Sequence, residues 1–523
     1  MWYDLTTGPS RKADCVGVTP DSSLHAVILA GGSGARFWPL SREMSPKQML
    51  TIFGGVSLIT QAVQRVRPFL AEDGLHVLTN ERLRDEIRNH LGAQADLRGV
   101  SIDVLAEPTP RNTAPAMALA AAYLVRLDPD AVMIVLPSDH LLECGPVWDA
   151  TVALALEAAE GGALVTIGLK PRSPETGYGY IRAGRAVAGL SAPVPEAGVA
   201  GGAPTTLTAH SVDEFVEKPD ADTARAYLEN GRYLWNSGML VARAATVLSQ
   251  LRAVGRRNAT PDSSHGEQIA DAAERIAALP PAQWTSDQAR ELFAALPAVP
   301  FDKAVLEVSE RVVVVPTDLD WSDVGSLLAL QTLAEPDERR NVLVGNVADV
   351  DSHDSIVYSA DRLVATLGLD NVVVVDTQDA TLVADKDRLQ DVRAVVDALK
   401  ASGAPEVATS RVSLRPWGSW SLLLKADGFQ IKSIDVLPGK RLSLQSHTRR
   451  SEHWVVVRGS ARVERDDETL DLAANESVFI RPGTRHRLEN IGDEMLSVIE
   501  VAVGDYLEED DIVRYEDDWG REQ

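Results

Sequence analysis

The amino-acid sequence predicts an α/β protein in three parts: an N-terminal domain of alternating strands and helices, a small β-rich connector, and a C-terminal β sandwich or barrel. Three observations support this prediction. Short apolar runs alternate with helical patterns up to residue 340, β-rich segments then recur down to residue 405, and from residue 406 the chain is nearly all β. A chain of 523 residues is long enough for about three domains, each with its own core.

The charge balance limits the classes of partner. The chain has 51 basic and 76 acidic residues, which gives a net charge of −25 at neutral pH. Nucleic acids and anionic membranes require a basic surface, so we expect neither as a partner. No apolar run reaches the ~18 residues of a membrane span, and the polar start does not resemble a signal peptide. With two cysteines and no disulfide framework, we expect a soluble cytoplasmic protein.

The elements of the N-terminal domain follow in order. Residues 1–23 are predicted to form a flexible tail, and residues 24–340 the domain itself. Apolar runs at residues 24–30, 131–136 and 164–169 predict buried strands, and residues 57–66, 114–126 and 148–160 have helical spacing. Strands that are apolar on both faces and alternate with helices indicate a parallel sheet covered on both sides. Residues 191–210, rich in Gly, Ala, Pro and Thr, are predicted to be a loop insertion.

The two later parts consist mainly of short strands. Residues 341–405 are predicted to form the connector, in which strand-like segments at spacings of about ten residues end in a helix at residues 387–400. Residues 406–523 are predicted to form the C-terminal domain. Its strands are predicted at residues 429–436, 453–458, 460–465, 477–480 and 496–501.

A glycine-rich turn directly after the first strand is the sharpest local signal. Gly31, Gly32 and Gly34 allow main-chain N–H groups to approach an anion, and Arg36, Arg42 and Lys47 follow as cations. The spacing is neither that of a P-loop nor that of the dinucleotide fingerprint. The pattern favours a phosphate-binding turn, with an ordinary strand–helix turn as the alternative.

Seven motifs in order resemble those of the sugar-1-phosphate nucleotidylyltransferases, and within them the bacterial mannose-1-phosphate guanylyltransferases. They are Ala30-Gly-Gly-Ser-Gly-Ala-Arg36 with Pro46-Lys-Gln48, Glu107-Pro-Thr-Pro-Arg-Asn-Thr-Ala-Pro115, Leu136-Pro-Ser-Asp-His140, Pro174-Glu-Thr-Gly-Tyr-Gly-Tyr-Ile181, Phe215-Val-Glu-Lys-Pro219, Trp235-Asn-Ser-Gly-Met239 and Trp321-Ser-Asp-Val-Gly325. The resemblance implies a Rossmann-like mixed-sheet domain. It also implies transfer of GMP from GTP to mannose 1-phosphate, which yields GDP-mannose and pyrophosphate.

The resemblance also implies roles for individual residues. Asp139 and Asp323 would hold Mg²⁺ on the nucleotide phosphates and, with Arg36 and Lys47, would form the catalytic set. The implied nucleotide-binding residues are Ala30, Gly31, Gly32, Gly34, Arg111, Asn112, Thr113 and Asp139, and the implied sugar-phosphate residues are Gly177, Glu217, Lys218 and Asn236. Asn112 or Thr113 also fits as the cap of the helix that follows. The chain departs from the family pattern at Ala35, Phe37, Lys303 and Val308.

A second group of polar residues lies in the C-terminal domain. Gln445 and His447 are two apart on one predicted strand, so their side chains point to the same face; Glu452 follows a turn and His486 follows Gly483. Two imidazoles with Glu and Gln oxygens suit a divalent ion that keeps one open position.

This spacing resembles the cupin metal signature, and more narrowly the phosphomannose isomerase domain fused to bacterial guanylyltransferases. The resemblance implies a C-terminal β-barrel cupin, Zn²⁺ or another divalent metal, and interconversion of mannose 6-phosphate and fructose 6-phosphate. Arg514 would bind the phosphate or assist proton transfer. Where the family often has His-His-His-Arg, this chain has His447-Thr-Arg-Arg450.

Three alternatives stay open at this point. The cupin could be a structural or dimerising module of a monofunctional guanylyltransferase, and a homodimer is an expected assembly. The transferase could act on another hexose 1-phosphate. The chain could also be a non-catalytic sensor of sugar nucleotides, a reading against which the intact pair Asp139 and Asp323 argues.

Overall fold

The computed structural model describes residues 23–32, 34–94, 97, 99–194, 206–257, 260–415 and 417–516. The predicted tail therefore lies outside the described residues, apart from Ser23. Ser33 of the glycine-rich turn and the last seven residues, 517–523, also lie outside them.

Nine α-helices lie in the described part of the chain. They are α1 (Leu58–Val66), α2 (Glu81–Ala93), α3 (Thr113–Leu127), α4 (Pro146–Glu160), α5 (Ala221–Asn230), α6 (Ala244–Arg257), α7 (Gly266–Ala277), α8 (Asp287–Ala294) and α9 (Val392–Ala401). Side chains cap several of their N-termini: Ser57, Asn80 and Asp220 each accept a hydrogen bond from the main chain of the first turn. Among these helices, none is both long and apolar enough to cross a membrane.

The N-terminal domain is built on a nine-stranded mixed sheet with strand order β3-β2-β1-β4-β9-β6-β10-β8-β7. Its strands, with the small β5–β11 pair beside it, are β1 (Leu24–Leu29), β2 (Leu75–Asn80), β3 (Asp103–Glu107), β4 (Val132–Pro137), β5 (Leu141–Leu142), β6 (Leu164–Leu169), β7 (Gly179–Pro193), β8 (Thr206–Glu217), β9 (Tyr233–Arg243), β10 (Val312–Thr317) and β11 (Trp321–Ser322). Strands β1 to β4 are mutually parallel, as are β6 and β10.

Two apolar layers cover this sheet. Alternate residues of β1 face opposite sides: Ala26 and Ile28 pack with α1, α2 and α4, whereas Val27 packs with α3, α6, α7 and α8. Both layers consist of buried aliphatic and aromatic side chains, and the central strands, which are covered on both faces, therefore appear in the sequence as continuous apolar runs.

Two expectations about this domain were wrong. The alternation of strands and helices alone predicted a parallel sheet, but β9 runs antiparallel between β4 and β6, and β7 and β8 add an antiparallel hairpin. The mixed sheet that the family resemblance implies is therefore confirmed. The expected loop at residues 191–210 includes the end of β7 and the start of β8, and residues 195–205 between them lie outside the described part. Alternating elements give no strand direction, and the outer halves of the hairpin strands carry small and polar residues that do not resemble a buried strand.

The connector consists of six short strands, most of which pair in parallel. They are β12 (Val342–Val344), β13 (Val347–Val350), β14 (Ile356–Ser359), β15 (Val364–Leu367), β16 (Val372–Asp376) and β17 (Thr381–Asp385). Strands β12, β14 and β16 pair in parallel, β17 closes this sheet in the antiparallel sense, and β13 pairs with β15. The connector shares a core with the N-terminal domain, because Phe37, Trp38 and Val324 pack with Val373 and Val375.

The C-terminal domain consists of two sheets around one core. The six-stranded sheet has the order β18-β19-β20-β27-β22-β25 and the five-stranded sheet β24-β23-β26-β21-β28. Their bounds are β18 (Val412–Arg415), β19 (Gly418–Ala426), β20 (Phe429–Val436), β21 (Leu444–His447), β22 (Arg450–Arg458), β23 (Ser460–Arg465), β24 (Glu468–Ala473), β25 (Ser477–Ile480), β26 (His486–Asn490), β27 (Leu496–Gly504) and β28 (Ile512–Glu516). Trp454, Val456, Val463 and Leu488 lie in the core between the sheets.

Candidate functional site

A cleft of about 510 Å³ lies at the carboxyl edge of the parallel strands in the N-terminal domain. Open α/β sheets bind ligands at this edge, since the loops that leave the strands converge there. Gly31 and Gly32 follow β1, Glu107 ends β3, and Asp139 follows β4. Of the residues expected in the site, the cleft is lined by Gly31, Gly32, Asn112, Thr113, Asp139, Gly177, Glu217, Lys218, Asn236 and Asp323.

Lys47 brings the two expected metal-binding acids together. Its buried Nζ lies 2.6 Å from Asp139 Oδ2, and it donates to the main-chain oxygens of Asp323 at 2.8 Å and Val324 at 3.0 Å. Burial opposes the charge of Asp139, but Lys47 and His140 outweigh it and hold the pKa of this carboxyl below its ordinary value. Asp139 is therefore an anion at neutral pH, as a metal ligand must be.

The position of Asp323 follows from local pairing and from a second side chain. Strand β11, directly before Asp323, pairs with β5, which follows Asp139 by two residues. Tyr178 then donates its hydroxyl hydrogen to Asp323 Oδ1 at 2.8 Å. Tyr178 had no expected role, although it belongs to the motif at residues 174–181.

The glycine-rich turn is packed against Lys47. Gly34 has a φ of +61°, and a Cβ there would lie 2.5 Å from Lys47 Cβ, so any other residue would displace the lysine. Gln48 Nε2 donates to the oxygens of Ala30 at 3.1 Å and Gly32 at 3.3 Å. Ala30 and Gly34 thus support the turn, while Gly31 and Gly32 line the cleft.

Ala30, Gly34 and Lys47 lie behind the cleft lining, and the side chains of two further expected residues turn toward other parts of the chain. The side chain of Arg36 is exposed and donates to Gln390 Oε1 of the connector at 2.9 Å. Arg111 donates to the main-chain oxygen of Ala294. Asn112 accepts a hydrogen bond from Thr113 N at 2.8 Å, so it caps α3 and also lines the cleft.

The side of the cleft expected to hold the sugar phosphate carries an oriented amide and two carboxyl groups. Asn236 Oδ1 accepts from Thr166 Oγ1 at 3.0 Å, and its Nδ2 donates to Asp302 Oδ1 at 2.7 Å, which fixes the orientation of the amide. Lys218 Nζ donates to Glu217 Oε1 at 2.6 Å. Burial, with the nearby charge of Glu217, raises the pKa of Asp302 to about 6. Asp302 had been given no role.

Glu107 is a further residue without an expected role of its own. It is 6% exposed, it lines the cleft beneath Gly31, and burial raises the pKa of its carboxyl to about 8. A carboxylic acid that stays protonated at neutral pH can donate a hydrogen bond as well as accept one. Glu107 ends β3 and begins the motif that runs to Pro115, and this position is the sequence feature that could have identified it as a site residue.

The donor set of this cleft fits a hard divalent cation. Asp139 and Asp323 supply carboxylate oxygens from loops that Lys47 and Tyr178 hold in place. Oxygen ligands of this kind, few in number and open to solvent and substrate, are those Mg²⁺ prefers.

A second candidate site lies between the two sheets of the C-terminal domain. His447 on β21, Glu452 on β22 and His486 on β26 are all buried, and their ligand atoms lie within 4.8 Å of one another. His447 Nε2 is 3.0 Å from Glu452 Oε1, and His486 Nε2 is 3.5 Å from Glu452 Oε2. The main-chain oxygen of Thr484 accepts from His486 Nδ1 at 3.0 Å, which leaves Nε2 free to act as a ligand.

The protonation states of this cluster suit a metal. Burial is the largest influence on His447 and lowers its pKa, so the imidazole is neutral. Burial opposes the charge of Glu452, but His447 and His486 hold the pKa of its carboxyl well below the usual range. Glu452 Oε2 and His486 Nε2 are buried without a hydrogen-bond partner among the described residues, as expected of atoms that bind an ion.

Gln445 and Arg514 are the other two expected residues of this site, and both line a small cavity beside the cluster. Gln445 is paired with His486 across β21 and β26 and accepts a hydrogen bond from Ser443 at 3.0 Å. It lines a small cavity together with Glu452 and Arg514. Arg450, for which no role was expected, donates to Glu452 Oε1 at 3.1 Å.

Comparison with known families divides the chain into three matched segments. The family described as nucleotidyl transferase matches residues 25–340, and the mannose-6-phosphate isomerase C-terminal family matches residues 402–517. Between them, residues 345–399 match a MannoseP isomerase/GMP-like beta-helix domain.

Curated relatives match the chain over nearly its whole length. The xanthan biosynthesis protein XanB of Xanthomonas campestris is 42% identical over 96% of this chain and 100% of its own. The mannose-1-phosphate guanylyltransferase of Escherichia coli is 40% identical over 96% and 99%. The alginate biosynthesis protein AlgA of Pseudomonas aeruginosa is 41% identical over 95% and 97%.

One solved structure matches nearly three quarters of the chain. A Thermus thermophilus protein described as mannose-1-phosphate geranyltransferase superposes with a TM-score of 0.58 at 32% identity, over 72% of this chain and 99% of that one. Identity of this extent shows common descent as well as a common fold. The chain belongs to the nucleotidyl transferase family, among the mannose-1-phosphate guanylyltransferases that carry a mannose-6-phosphate isomerase C-terminal domain.

Proposed function

We propose that the N-terminal domain transfers GMP from GTP to mannose 1-phosphate and releases pyrophosphate. The observation that carries this proposal is the contact of Lys47 with both Asp139 and the Asp323 loop, at the edge of a cleft that begins with a glycine-rich turn. The names and extent of the relatives support the choice of substrates.

In this proposal the residues of the cleft act by positioning and by charge. The amides of Gly31 and Gly32 receive the triphosphate, and the attacking oxygen belongs to a phosphate that is already anionic, so no general base is needed. Mg²⁺ held by Asp139 and Asp323 would neutralise charge on the nucleotide phosphates. Lys47 contacts both Asp139 and the loop of Asp323, so it would hold the two acids near each other and add positive charge beside them.

The other residues of the cleft select the substrates. Asn236 presents an amide of fixed orientation, and Glu217 a carboxylate, to the hydroxyl groups of the hexose. Asn112, Thr113 and Glu107 also line the cleft and would contact the nucleotide. Arg36 and Arg111, which point to the connector and to the Ala294 main chain, would act by holding loops rather than by touching substrate.

For the C-terminal domain we propose isomerisation of mannose 6-phosphate and fructose 6-phosphate. His447, Glu452 and His486 would hold Zn²⁺ or another divalent ion, with Gln445 as a fourth ligand. Such an ion polarises a carbonyl and stabilises an enediolate-like transition state. Arg514, on the wall of the same cavity, would bind the substrate or assist proton transfer.

A substrate panel tests the transferase. Pyrophosphate release is measured for four nucleoside triphosphates against mannose, glucose and N-acetylglucosamine 1-phosphates, with and without Mg²⁺. We expect release with GTP and mannose 1-phosphate in the presence of Mg²⁺, and a loss of about 100-fold or more in Asp139→Asn. Binding of GTP without pyrophosphate release would instead support the sensor.

Metal analysis with an isomerase assay tests the C-terminal proposal. We expect about one equivalent of divalent metal in this domain, and conversion of fructose 6-phosphate that chelation abolishes and added metal restores. Bound metal without any conversion would support the structural alternative.

A further inference from the structure

A cleft of about 650 Å³ lies between the N-terminal and C-terminal domains. One wall consists of the segment after the glycine-rich turn and of helix α2, including Met44 and Glu86. The opposite wall consists of strands β18 to β20 of the C-terminal domain and includes Arg415, Trp420 and Lys432. We call this space the interdomain cleft.

The interdomain cleft lies next to a cavity at the metal-ligand cluster. A smaller cavity of about 50 Å³ lies beside the cluster and is lined by Gln445 and Glu452. Arg415, Trp420, Lys432 and Glu509 line both spaces, so the smaller cavity adjoins the larger one across these side chains.

The two volumes decide where a sugar phosphate could lie. A cavity of 50 Å³ holds no more than a few water molecules. Sites for small organic ligands measure about 300–1,000 Å³, a range that includes the interdomain cleft but not the smaller cavity. A phosphorylated hexose that reaches the cluster with its carbonyl end must therefore leave its phosphate end in the cleft.

The cleft carries cations that are already ordered by carboxylates. Arg415 Nη1 lies 2.8 and 3.1 Å from the two carboxylate oxygens of Glu86. Lys432 Nζ lies 3.0 Å from Glu509 Oε1 and 4.5 Å from the centre of the Trp420 ring. A phosphate dianion offers an arginine fork the same geometry as a carboxylate, with more charge, and can replace it.

We propose that the interdomain cleft binds the phosphate of a hexose 6-phosphate at Arg415 and Lys432, with the sugar directed toward His447, Glu452 and His486. The N-terminal domain then forms one wall of the isomerase site, and Glu86 occupies the place of the phosphate when the cleft is empty. This inference rests on the proposed isomerase function for the identity of the sugar.

The pair Glu86–Arg415 allows a test in which two variants are expected to change phosphate binding in opposite directions. If Glu86 competes with the phosphate for Arg415, Glu86→Gln frees the arginine and tightens binding, whereas Arg415→Gln weakens it. If the pair only holds the two domains together, both variants loosen the same contact and change binding in the same direction. Arg462→Gln is the matched control, because Arg462 forms a similar pair with Asp471 at 2.8 Å on a surface outside the cleft.

The experiment uses the full, metal-loaded chain and calorimetric titration with mannose 6-phosphate, with inorganic phosphate as a second probe. We expect Arg415→Gln to weaken binding of mannose 6-phosphate about tenfold or more, Glu86→Gln to tighten it about threefold, and Arg462→Gln to leave it within about twofold. Inorganic phosphate should follow the same order with lower affinity. Metal content and the thermal midpoint of each variant show that it is folded.

The outcomes separate this inference from the isomerase proposal. Changes of the same direction in Glu86→Gln and Arg415→Gln, no change in Arg415→Gln, or no binding by the wild type would each overturn the inference. Binding with the expected signs but no isomerisation would refute the isomerase function and leave the phosphate site standing. If the wild type isomerises its substrate but Arg415→Gln binds mannose 6-phosphate as tightly as the wild type, the isomerase function would stand and the phosphate site would be refuted.

Discussion

Lys47 directs all three of its ammonium hydrogens to acceptors within the protein: Asp139 Oδ2 at 2.6 Å, Asp323 O at 2.8 Å and Val324 O at 3.0 Å. Val324 is a β-branched residue with a φ of +49°, a conformation that costs about 1–3 kcal/mol and needs support from its surroundings. The contact with Lys47 supplies part of this support, so the lysine holds the loop that carries Asp323.

Replacing Lys47 by Met therefore tests whether the charge of this lysine positions Asp139 and Asp323. We expect pyrophosphate release to fall about 100-fold, since both acids lose their common partner. The control is Lys386→Met in the connector, where the ammonium donates to the Asp354 main chain at 3.1 Å, away from the cleft. That variant should stay within about twofold of the wild type. Unchanged turnover in Lys47→Met would remove the lysine from the mechanism.

The buried acid Glu107 makes stability depend on pH. Its pKa is raised from 4.5 to about 8, so between these values the folded chain keeps a proton that the unfolded chain has lost. Stability from this group is complete below the lower value and is lost as the pH rises through the upper one. We expect Glu107→Gln, which cannot ionise, to gain in thermal midpoint over the wild type between about pH 6 and about pH 9.

The exposed Glu157 on α4 provides the control for this measurement. The thermal midpoint of Glu157→Gln should differ from that of the wild type by the same amount at about pH 6 and at about pH 9. A difference between Glu107→Gln and the wild type that does not change with pH would show that Glu107 is already ionised in the folded protein.

At the scale of the elements, the connector and the residues directly after it hold the segment that follows the glycine-rich turn. Arg42 donates to Asp379 Oδ1 at 2.7 Å, and the two side chains are 1% and 5% exposed. Trp38 donates to the main chain of Glu406, and the main-chain N–H of Glu43 donates to Val407 O. The segment that ends at Lys47 is thus held from behind by residues more than 300 positions away in the chain.

Asp379→Ala leaves the buried charge of Arg42 without its partner. Breaking a buried ion pair costs about 3–5 kcal/mol, so we expect a clear drop in the thermal midpoint, and a loss of about tenfold in pyrophosphate release because the turn is displaced. Asp397→Ala removes an exposed pair with Arg393 on α9, where about 0.5 kcal/mol or less is at stake. Equal effects of the two variants would contradict the buried-pair argument.

The elements also show what the sequence could predict. The ends of β6, β20, β23 and β25 agree with the prediction because apolar residues and turn residues mark them. Strand β24 was missed because it lies at a sheet edge, with exposed residues along its length. The motifs identified the residues that line the cleft, but spacing cannot tell that the long side chains of Arg36 and Arg111 turn away from it. Nor can it reveal that burial keeps Glu107 protonated.

At the scale of the whole molecule, the two candidate sites have separate cores. The nine-stranded sheet is packed by its own two layers, and the side chains around Trp454 form a distinct cluster between the C-terminal sheets. The boundaries at residues 340 and 405 stay predictions, and the connector shares a core with Phe37 and Trp38 of the N-terminal domain. The chemistry of one site should nevertheless survive the loss of the other.

A reciprocal pair of variants tests this independence. Glu452→Gln removes the one charged ligand between His447 and His486, so we expect the C-terminal metal and the isomerase activity to be lost. Pyrophosphate release should stay within about twofold of the wild type, because the acids at Lys47 belong to another core. Lys47→Met should show the opposite pattern, with metal and isomerisation retained. If Glu452→Gln also abolished transfer while its thermal midpoint was unchanged, the chemistry of the two sites would be coupled. The expectation that transfer does not depend on the C-terminal metal would then be wrong.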